Sequence, residues 1–288
     1  MTGRVIDSHL HLWDLPRSDY AWITPELGPL HRSFGPGDAE VELTAAGVDA
    51  AVLVQADDTT SDTEFMLEVA RAHHWVAGVV GWVPLDSEPG AAAALVALEG
   101  EPLLRGVRHL VHDDPRDDFL DLPDVRASLG RVAAQGLTFD VPDAWPRHLD
   151  AAARLARDLP ELTVVLDHLG KPPAGGHGLG EWRAQLDRLA AAPNAVVKFS
   201  GLHLPGVPFT EAGVGLLLDV ALEAFGADRV MYGGDWPMSV PHGGYRHTWD
   251  VMRACLDRLA PGERDAVLGG NAEHIYGLNE ISRKRNQC

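Results

Sequence analysis

Eight short apolar runs, separated by stretches long enough for a helix and two loops, constrain the fold of this chain more than any other feature. The runs are rich in Val, Leu and Ile and cover residues 5–10, 50–55, 76–83, 106–111, 137–141, 162–168, 195–200 and 229–235. Most of them are nearly continuous in apolar character, which is typical of strands buried on both faces of a parallel sheet. Successive runs begin roughly 25 to 45 residues apart, which leaves room for a crossover helix.

Eight strand–helix units in one chain of 288 residues predict a single (β/α)8 barrel of the α/β class, because such a barrel typically needs about 250 residues. The predicted barrel occupies residues 1–279, and residues 280–288 form a polar C-terminal tail. An open, doubly wound sheet is the alternative architecture. The stretches between the runs carry helix signals. Ser61 and Glu64, for example, have the spacing of a capping box, and Phe65 and Val69 follow on one face.

Charge, cysteine content and missing motifs exclude several classes of function. The formal net charge is -18, which argues against a nucleic-acid partner or an anionic membrane, because both need a basic patch. The only cysteines are Cys255 and Cys288, so we expect no disulfide framework and a cytoplasmic location. No run of about 18 apolar residues predicts a membrane span, and no signal-peptide pattern precedes the first strand. The sequence also contains neither a Gly-x-Ser-x-Gly elbow nor a Gly-Lys-Ser/Thr phosphate loop.

Polar residues follow three of the apolar runs, at the barrel face where active sites collect. Alternation along the first run predicts that Asp7, His9 and His11 share one face, where two imidazoles could hold a metal ion or a polar substrate group. The sixth run ends in His168, and the eighth ends in Asp235 after two glycines. Each of these residues has an alternative interpretation: chance spacing for the His-x-His pair, a salt-bridged loop for His168, and a helix N-cap for Asp235. Their common placement at strand ends favours one site.

Taken together and in order, the polar segments resemble the amidohydrolase-related branch that includes L-fuconolactonase, L-rhamnonolactonase and the pyrone-dicarboxylate lactonases. The resemblance is carried by residues 6–14, 20–22, 54–56, 78–83, 104–109, 167–172, 198–202, 234–237 and 270–272. These segments extend over nearly the whole chain, and it is their ordered set that is specific to the branch.

The resemblance implies roles for the residues at the strand ends. Asp235 matches the general base that acts on water, and with His9, His11 and His168 it forms the predicted metal ligands. Arg108 matches an arginine that binds the carbonyl or carboxylate group of the substrate. The remaining predicted substrate-binding residues are Gln55, Tyr20, Trp22, Trp82, His112, Asp140, Lys171, Lys198 and Trp236. For the two lysines an ordinary ion pair is the alternative, for Trp82 and Trp236 it is barrel packing, and for Asp140 it is orientation of a histidine.

Departures from the family pattern bear on the metal content. No lysine that could bridge two metal ions follows the fourth run, and the seventh run carries Lys198 where a further histidine would be expected, with His203 five residues beyond. We therefore expect one divalent metal ion, zinc being the first choice, and not a dinuclear site. A site without metal remains the alternative.

The function predicted from these residues is hydrolysis of a sugar lactone to its aldonate by water that Asp235 activates. A metal-dependent decarboxylase of the same superfamily is the first alternative, and another carboxylic-ester or amide hydrolase is the second. A barrel that binds a sugar acid without converting it is a third. The predicted partner is therefore a small-molecule lactone, and the sequence leaves open whether the chain forms a homo-oligomer.

Overall fold

A computed structural model describes residues 3–174 and 177–278 of the chain. Eight strands form one sheet in which every neighbouring pair is parallel and the spatial order follows the sequence order. The strands are β1 (Ile6–Leu10), β2 (Ala50–Val54), β3 (Val76–Gly81), β4 (Leu104–Arg108), β5 (Thr138–Val141), β6 (Val164–Leu166), β7 (Ala195–Phe199) and β8 (Val230–Tyr232).

The sheet closes on itself where β1 meets the segment that follows β8. The amide of Asp235 donates to the carbonyl of His9 over 2.9 Å, and the amide of His11 donates to the carbonyl of Trp236 over 2.7 Å. These two bonds complete the ring of parallel strands, so the predicted (β/α)8 barrel is confirmed. The predicted tail, residues 280–288, lies outside the described residues, and the domain boundary at residue 279 stays a prediction.

Helices lie outside the ring. They are α1 (Pro36–Ala46), α2 (Thr60–Ala72), α3 (Glu88–Ala97), α4 (Pro123–Ala134), α5 (Leu149–Asp158), α6 (Leu179–Ala190), α7 (Glu211–Phe225), α8 (Gly244–Leu256), α9 (Pro261–Asp265) and α10 (Asn271–Ile275), with a π-helical turn at Ala266–Gly270. The predicted capping box is wrong, because α2 is capped by Thr59, whose side chain accepts from the amide of Asp62. Within residues 3–174 and 177–278, no helix is long and apolar enough to cross a membrane.

Two apolar layers fill the molecule and leave one mouth of the barrel for chemistry. One layer lies between strands and helices, and the other lies inside the ring. The inner layer contains Ile6, Val52 and Val80, and it is covered by Tyr276 and Leu278 near the C-terminus. Since the interior is packed at that end, polar side chains are placed toward the C-terminal ends of the strands.

Several predicted strands continue beyond the observed ones. The run 162–168 contains only Val164–Leu166 as a strand, the run 229–235 contains only Val230–Tyr232, and the run 106–111 corresponds to a strand at Leu104–Arg108. His168 and Asp235 adopt left-handed backbone conformations with φ of 56° and 50°. A residue in that region cannot extend a strand. The two residues therefore lack the backbone conformation of a strand, although the amide of Asp235 still bonds to β1, and an apolar pattern does not reveal this.

Candidate active site

Two imidazoles at the end of β1 face each other with their Nε2 atoms 3.0 Å apart. His11 Nδ1 lies 2.7 Å from the carbonyl of Val54, which only accepts hydrogen bonds, so Nδ1 carries the proton. His9 Nδ1 lies between Asp167 Oδ1 at 3.2 Å and Nζ of Lys198 at 3.1 Å, and Nη1 of Arg108, which only donates, lies 3.4 Å from its Nε2 atom. Both Nε2 atoms are then left with lone pairs that point at each other.

Asp235 brings a carboxylate to the same two nitrogens. Its Oδ1 atom is 3.8 Å from Nε2 of His9 and 3.6 Å from Nε2 of His11. This oxygen is buried and has no hydrogen-bond partner within the described part of the chain. Burial raises the pKa of Asp235, but His168, His11 and His9 outweigh that effect and hold the pKa below its usual range. Asp235 therefore presents to both imidazoles a buried carboxylate oxygen that is unpartnered among the described residues.

The donor set fits a divalent cation. Ligand atoms of His9, His11 and Asp235 all lie within 4.8 Å of one another, and a second overlapping group contains His9, Asp167 and His168. In the first group, two imidazole lone pairs and a carboxylate converge with no proton between them, an arrangement that a cation relieves. His168 is not a member of this first group, so its assignment as a metal ligand stays a prediction.

His168 is held by the end of β7. Its Nδ1 atom lies 2.9 Å from the hydroxyl of Ser200, and a Cβ at Gly201 would lie 2.3 Å from that nitrogen. Gly201 has a φ of 59°, which glycine adopts at little cost. Burial lowers the pKa of His168, so the ring is neutral near pH 7. Its other nitrogen is directed away from Ser200, and the residue lines a cavity.

A buried charge network lies beneath the imidazoles. Lys198 Nζ lies 2.6 Å from Asp140 Oδ2 and 3.0 Å from Asp167 Oδ1, and all three side chains are fully buried. Arg108 Nη1 donates to the other oxygen of Asp167 over 3.1 Å. Burial raises the pKa of Asp140 even with Lys198 beside it. For Asp167, burial acts in the same direction, but Lys198, His9 and Arg108 lower the pKa well below its usual value.

The cavity opens above this network and has a volume of about 230 Å³. That is smaller than the roughly 300 to 1,000 Å³ of pockets for drug-sized ligands, so it suits a single small ring. Its walls are His11, Trp22, Ala56, Arg108, Leu110, His112, Asp113, Pro142, Asp143, His168, Lys171, Asp235 and Met238. The structure thus brings together seven predicted site residues: His11, Trp22, Arg108, His112, His168, Lys171 and Asp235.

The other predicted substrate-binding residues do not line this cavity. Lys198 and Asp140 lie below it, and their charges are paired with each other. Three of the rest use their polar ends elsewhere: Tyr20 donates to Asp62 over 2.6 Å, Gln55 donates to Asp58 over 2.9 Å and Trp82 donates to His109 over 3.2 Å. The ring of Trp236 packs edge-on against Phe34. Their partners are distant in sequence, or in a loop, so local pattern alone could not reveal them.

Asp7 does not share a face with the two imidazoles, and that prediction is wrong. Its carboxylate accepts from the amide of Gly234 and from the hydroxyl of Tyr245 in α8, each over 2.8 Å. The register between β1 and β2 shifts after Asp7, which breaks the simple alternation of side chains. Burial raises the pKa of Asp7 to about 6. The residue therefore joins β1, the segment that follows β8, and α8 from outside the barrel.

His203, the histidine nearest to the end of β7, stands apart from the group of metal-ligating atoms. Its Nε2 atom lies 2.9 Å from the hydroxyl of Thr248, and its ring stacks on Phe209 with centroids 3.7 Å apart. Two acidic cavity residues, Asp113 and Asp143, were not predicted from the sequence. Asp143 follows the predicted fifth strand by two residues, and this position was the signal that could have identified it.

Comparisons with known proteins agree with this architecture. The family model described as Amidohydrolase matches residues 6–278. An L-fucono-1,5-lactonase of Burkholderia ambifaria is 38% identical over 98% of each chain, and one of Burkholderia multivorans is 34% identical over 97% of this chain and 98% of its own. A crystal structure of a Burkholderia multivorans amidohydrolase with bound zinc superposes with a TM-score of 0.86 at 32% identity, covering 95% of this chain and 99% of that one. With its parallel barrel and its converging histidines and aspartate, the chain belongs to the amidohydrolase family.

Proposed function

We propose that this chain hydrolyses the ring ester of a sugar lactone, with L-fucono-1,5-lactone as the first candidate substrate. The observation that carries the proposal is the convergence of Asp235 and His11, which line a small cavity, with the buried His9. Such a cavity holds one ring, and a carboxylate beside it can take a proton from water. The similarity to two L-fucono-1,5-lactonases over nearly the whole chain supports the same substrate class.

Asp235 is the proton carrier of the proposed reaction. A water oxygen forms a bond to the lactone carbonyl carbon, and its proton passes to the carboxylate of Asp235. When the tetrahedral intermediate collapses, the bond between that carbon and the ring oxygen breaks. The ring oxygen then takes the proton back from Asp235, and the new carboxylic acid loses the second proton of the water to solvent, so the open aldonate leaves with Asp235 ionised again. Arg108 lies at the cavity wall and donates to the carbonyl oxygen as negative charge develops there.

The ligands of the metal in this proposal are His9, His11 and Asp235, and zinc is the proposed ion. When bound, it supplies Lewis acidity at the carbonyl or at the attacking water. Asp167 fixes the orientation of His9 from behind, and the Val54 carbonyl fixes that of His11. Dialysis against a chelator should lower the turnover of the lactone by about 100-fold or more, and zinc should restore it. Metal analysis of the same samples is the independent readout.

A screen of aldonolactones with a pH indicator tests the reaction directly, because each turnover releases one proton. The proposal expects proton release without carbon dioxide, whereas release of carbon dioxide from an aromatic acid would instead support the decarboxylase alternative. Asp235→Asn should lower kcat by about 1,000-fold or more. The exposed Asp19→Asn is the matched control and should leave kcat unchanged. Turnover near the wild-type rate in Asp235→Asn, with intact fold and metal content, would remove Asp235 from this role.

A further inference from the structure

Asp143 presents an unassigned carboxylate to the cavity from the loop after β5. It stands two residues beyond the last residue of that strand and forms part of the cavity wall. Its backbone has a φ of 42°, in the left-handed region. Aspartate enters this region more readily than most residues, but the conformation still costs free energy. The local backbone therefore turns this side chain toward the ligand space.

The carboxylate of Asp143 has unused acceptor capacity. Its Oδ1 atom has no hydrogen-bond partner among residues 3–174 and 177–278. Its Oδ2 atom is 3.9 Å from Nζ of Lys171, which is too long for a hydrogen bond, and Lys171 itself donates to the carbonyl of Gly201. An ionised carboxylate accepts only, so a ligand that satisfies it must bring hydroxyl or amine donors.

The charges around the cavity point to an uncharged ligand. Apart from Asp235, which the proposed metal ion would neutralise, two cationic side chains, Arg108 and Lys171, share the wall with two carboxylates, Asp113 and Asp143. Arg108 is already paired with a buried carboxylate beneath the cavity. A ring that carries carboxylates would therefore meet an acidic wall with little free positive charge. A neutral ring with several hydroxyl groups meets acceptors that it can satisfy.

We propose that Asp143 is a specificity-determining residue that accepts a hydrogen bond from a ring hydroxyl of the substrate. This inference rests on the proposed lactonase function and narrows its substrate class to neutral polyhydroxylated lactones. Lactones that carry carboxylates on the ring are excluded by the same residue. In this arrangement the reacting carbonyl would face Asp235, on the wall that Asp143 and Asp235 share.

The test combines variants of Asp143 with substrates that lack hydroxyl groups. Asp143→Asn keeps a side chain that tolerates the left-handed backbone, and Asp143→Ala removes the acceptor altogether. For an aldono-1,5-lactone, kcat/KM should fall by about 10- to 100-fold in Asp143→Ala, as expected for loss of a hydrogen bond to a charged group. For the deoxy lactone that lacks the recognised hydroxyl, and for unsubstituted δ-valerolactone, the loss should stay below about 3-fold. Asp19→Asn is the matched control.

The pattern of losses decides the proposal. Equal loss on hydroxylated and deoxy lactones in both variants would overturn it. The proposal would also be overturned if the wild-type protein turned over a pyrone dicarboxylate as fast as it turns over the aldonolactone. Asp143→Asn should also narrow the gap between these two substrates, because it removes one negative charge.

Calorimetric binding of the corresponding sugar lactam separates this inference from the proposed function. If the wild-type protein hydrolyses no lactone but binds the lactam, and Asp143→Ala weakens that binding about 10-fold, the hydroxyl site stands and the lactonase function fails. Hydrolysis of lactones together with unchanged lactam binding in Asp143→Ala overturns the role of Asp143 and leaves the function intact. If the wild-type protein neither hydrolyses lactones nor binds the lactam, the proposed function and the role of Asp143 are both overturned.

Discussion

Replacing Lys198 by methionine would remove the cation that holds two buried carboxylates together beneath the active site. Lys198 Nζ lies 2.6 Å from Asp140 and 3.0 Å from Asp167, and none of the three side chains is exposed. Removing one partner of a buried ion pair costs about 3 to 5 kcal/mol. Methionine is long and unbranched, so it keeps much of the packing. Because Arg108 still neutralises Asp167, we expect a loss near the lower end, about 3 kcal/mol.

The loss should depend on pH with a definite sign. Burial already raises the pKa of Asp140 with Lys198 present, and loss of the cation raises it further. A carboxyl with a raised pKa in the folded state stabilises that state below its unfolded pKa, about 3.9, and this stabilisation is lost as the pH rises through the folded pKa. The deficit of Lys198→Met relative to the wild-type protein should therefore be larger at pH 8 than at pH 5.

Urea denaturation followed by tryptophan fluorescence measures both effects. Adding Asp140→Asn to Lys198→Met removes the uncompensated carboxylate, so the double variant should recover about 1 to 2 kcal/mol relative to the single one. Lys171→Met is the matched control, because its side chain is about one-third exposed, and its unfolding free energy should change by less than about 0.5 kcal/mol. Strictly additive losses in the double variant, or a deficit that shrinks at high pH, would refute the reasoning.

Two further predictions concern His168 and α2. A Cβ at Gly201 would lie 2.3 Å from Nδ1 of His168, so Gly201→Ala should lower kcat at least about 10-fold in steady-state assays. Gly206 has a similar positive φ but open space around it, so Gly206→Ala is the control and should leave kcat unchanged. Equal effects of the two substitutions would refute the predicted clash with His168. Burial raises the pKa of Asp62 from 3.8 to about 6, so its stabilisation of the fold is present below about pH 4 and disappears as the pH rises through 6. Between pH 4 and pH 7, the unfolding free energy of the wild-type protein should fall as Asp62 ionises. In Asp62→Asn this fall should be smaller by up to about 3 kcal/mol, and equal falls in the two proteins would contradict the prediction.

The sequence predicted the barrel because burial on both faces of a parallel strand leaves a continuous apolar run. It also predicted which ends of those runs carry chemistry, since polar residues that follow buried strands meet at one mouth. His11, His168 and Asp235 were found in this way, and the structure places all three at the cavity. Strand ends were less predictable, because the backbone at His168 and Asp235 turns left-handed for reasons that lie in neighbouring segments.

Only the tertiary structure separated the residues that face the ligand space from those that hold them in place. Lys198 and Asp140 are residue types that often bind substrates, yet in this structure they pair with each other. Their side chains are 2.6 Å apart although the residues are 58 positions apart in the sequence. Asp143, in contrast, cannot be distinguished in the sequence from the many aspartates expected at the surface. It lines the cavity only because the chain turns after β5. Hydrophobic periodicity depends on which face of an element is buried, and a short stretch of sequence is enough to contain that pattern. The pairing of charges depends on distances between elements, and those distances exist only once the barrel has closed.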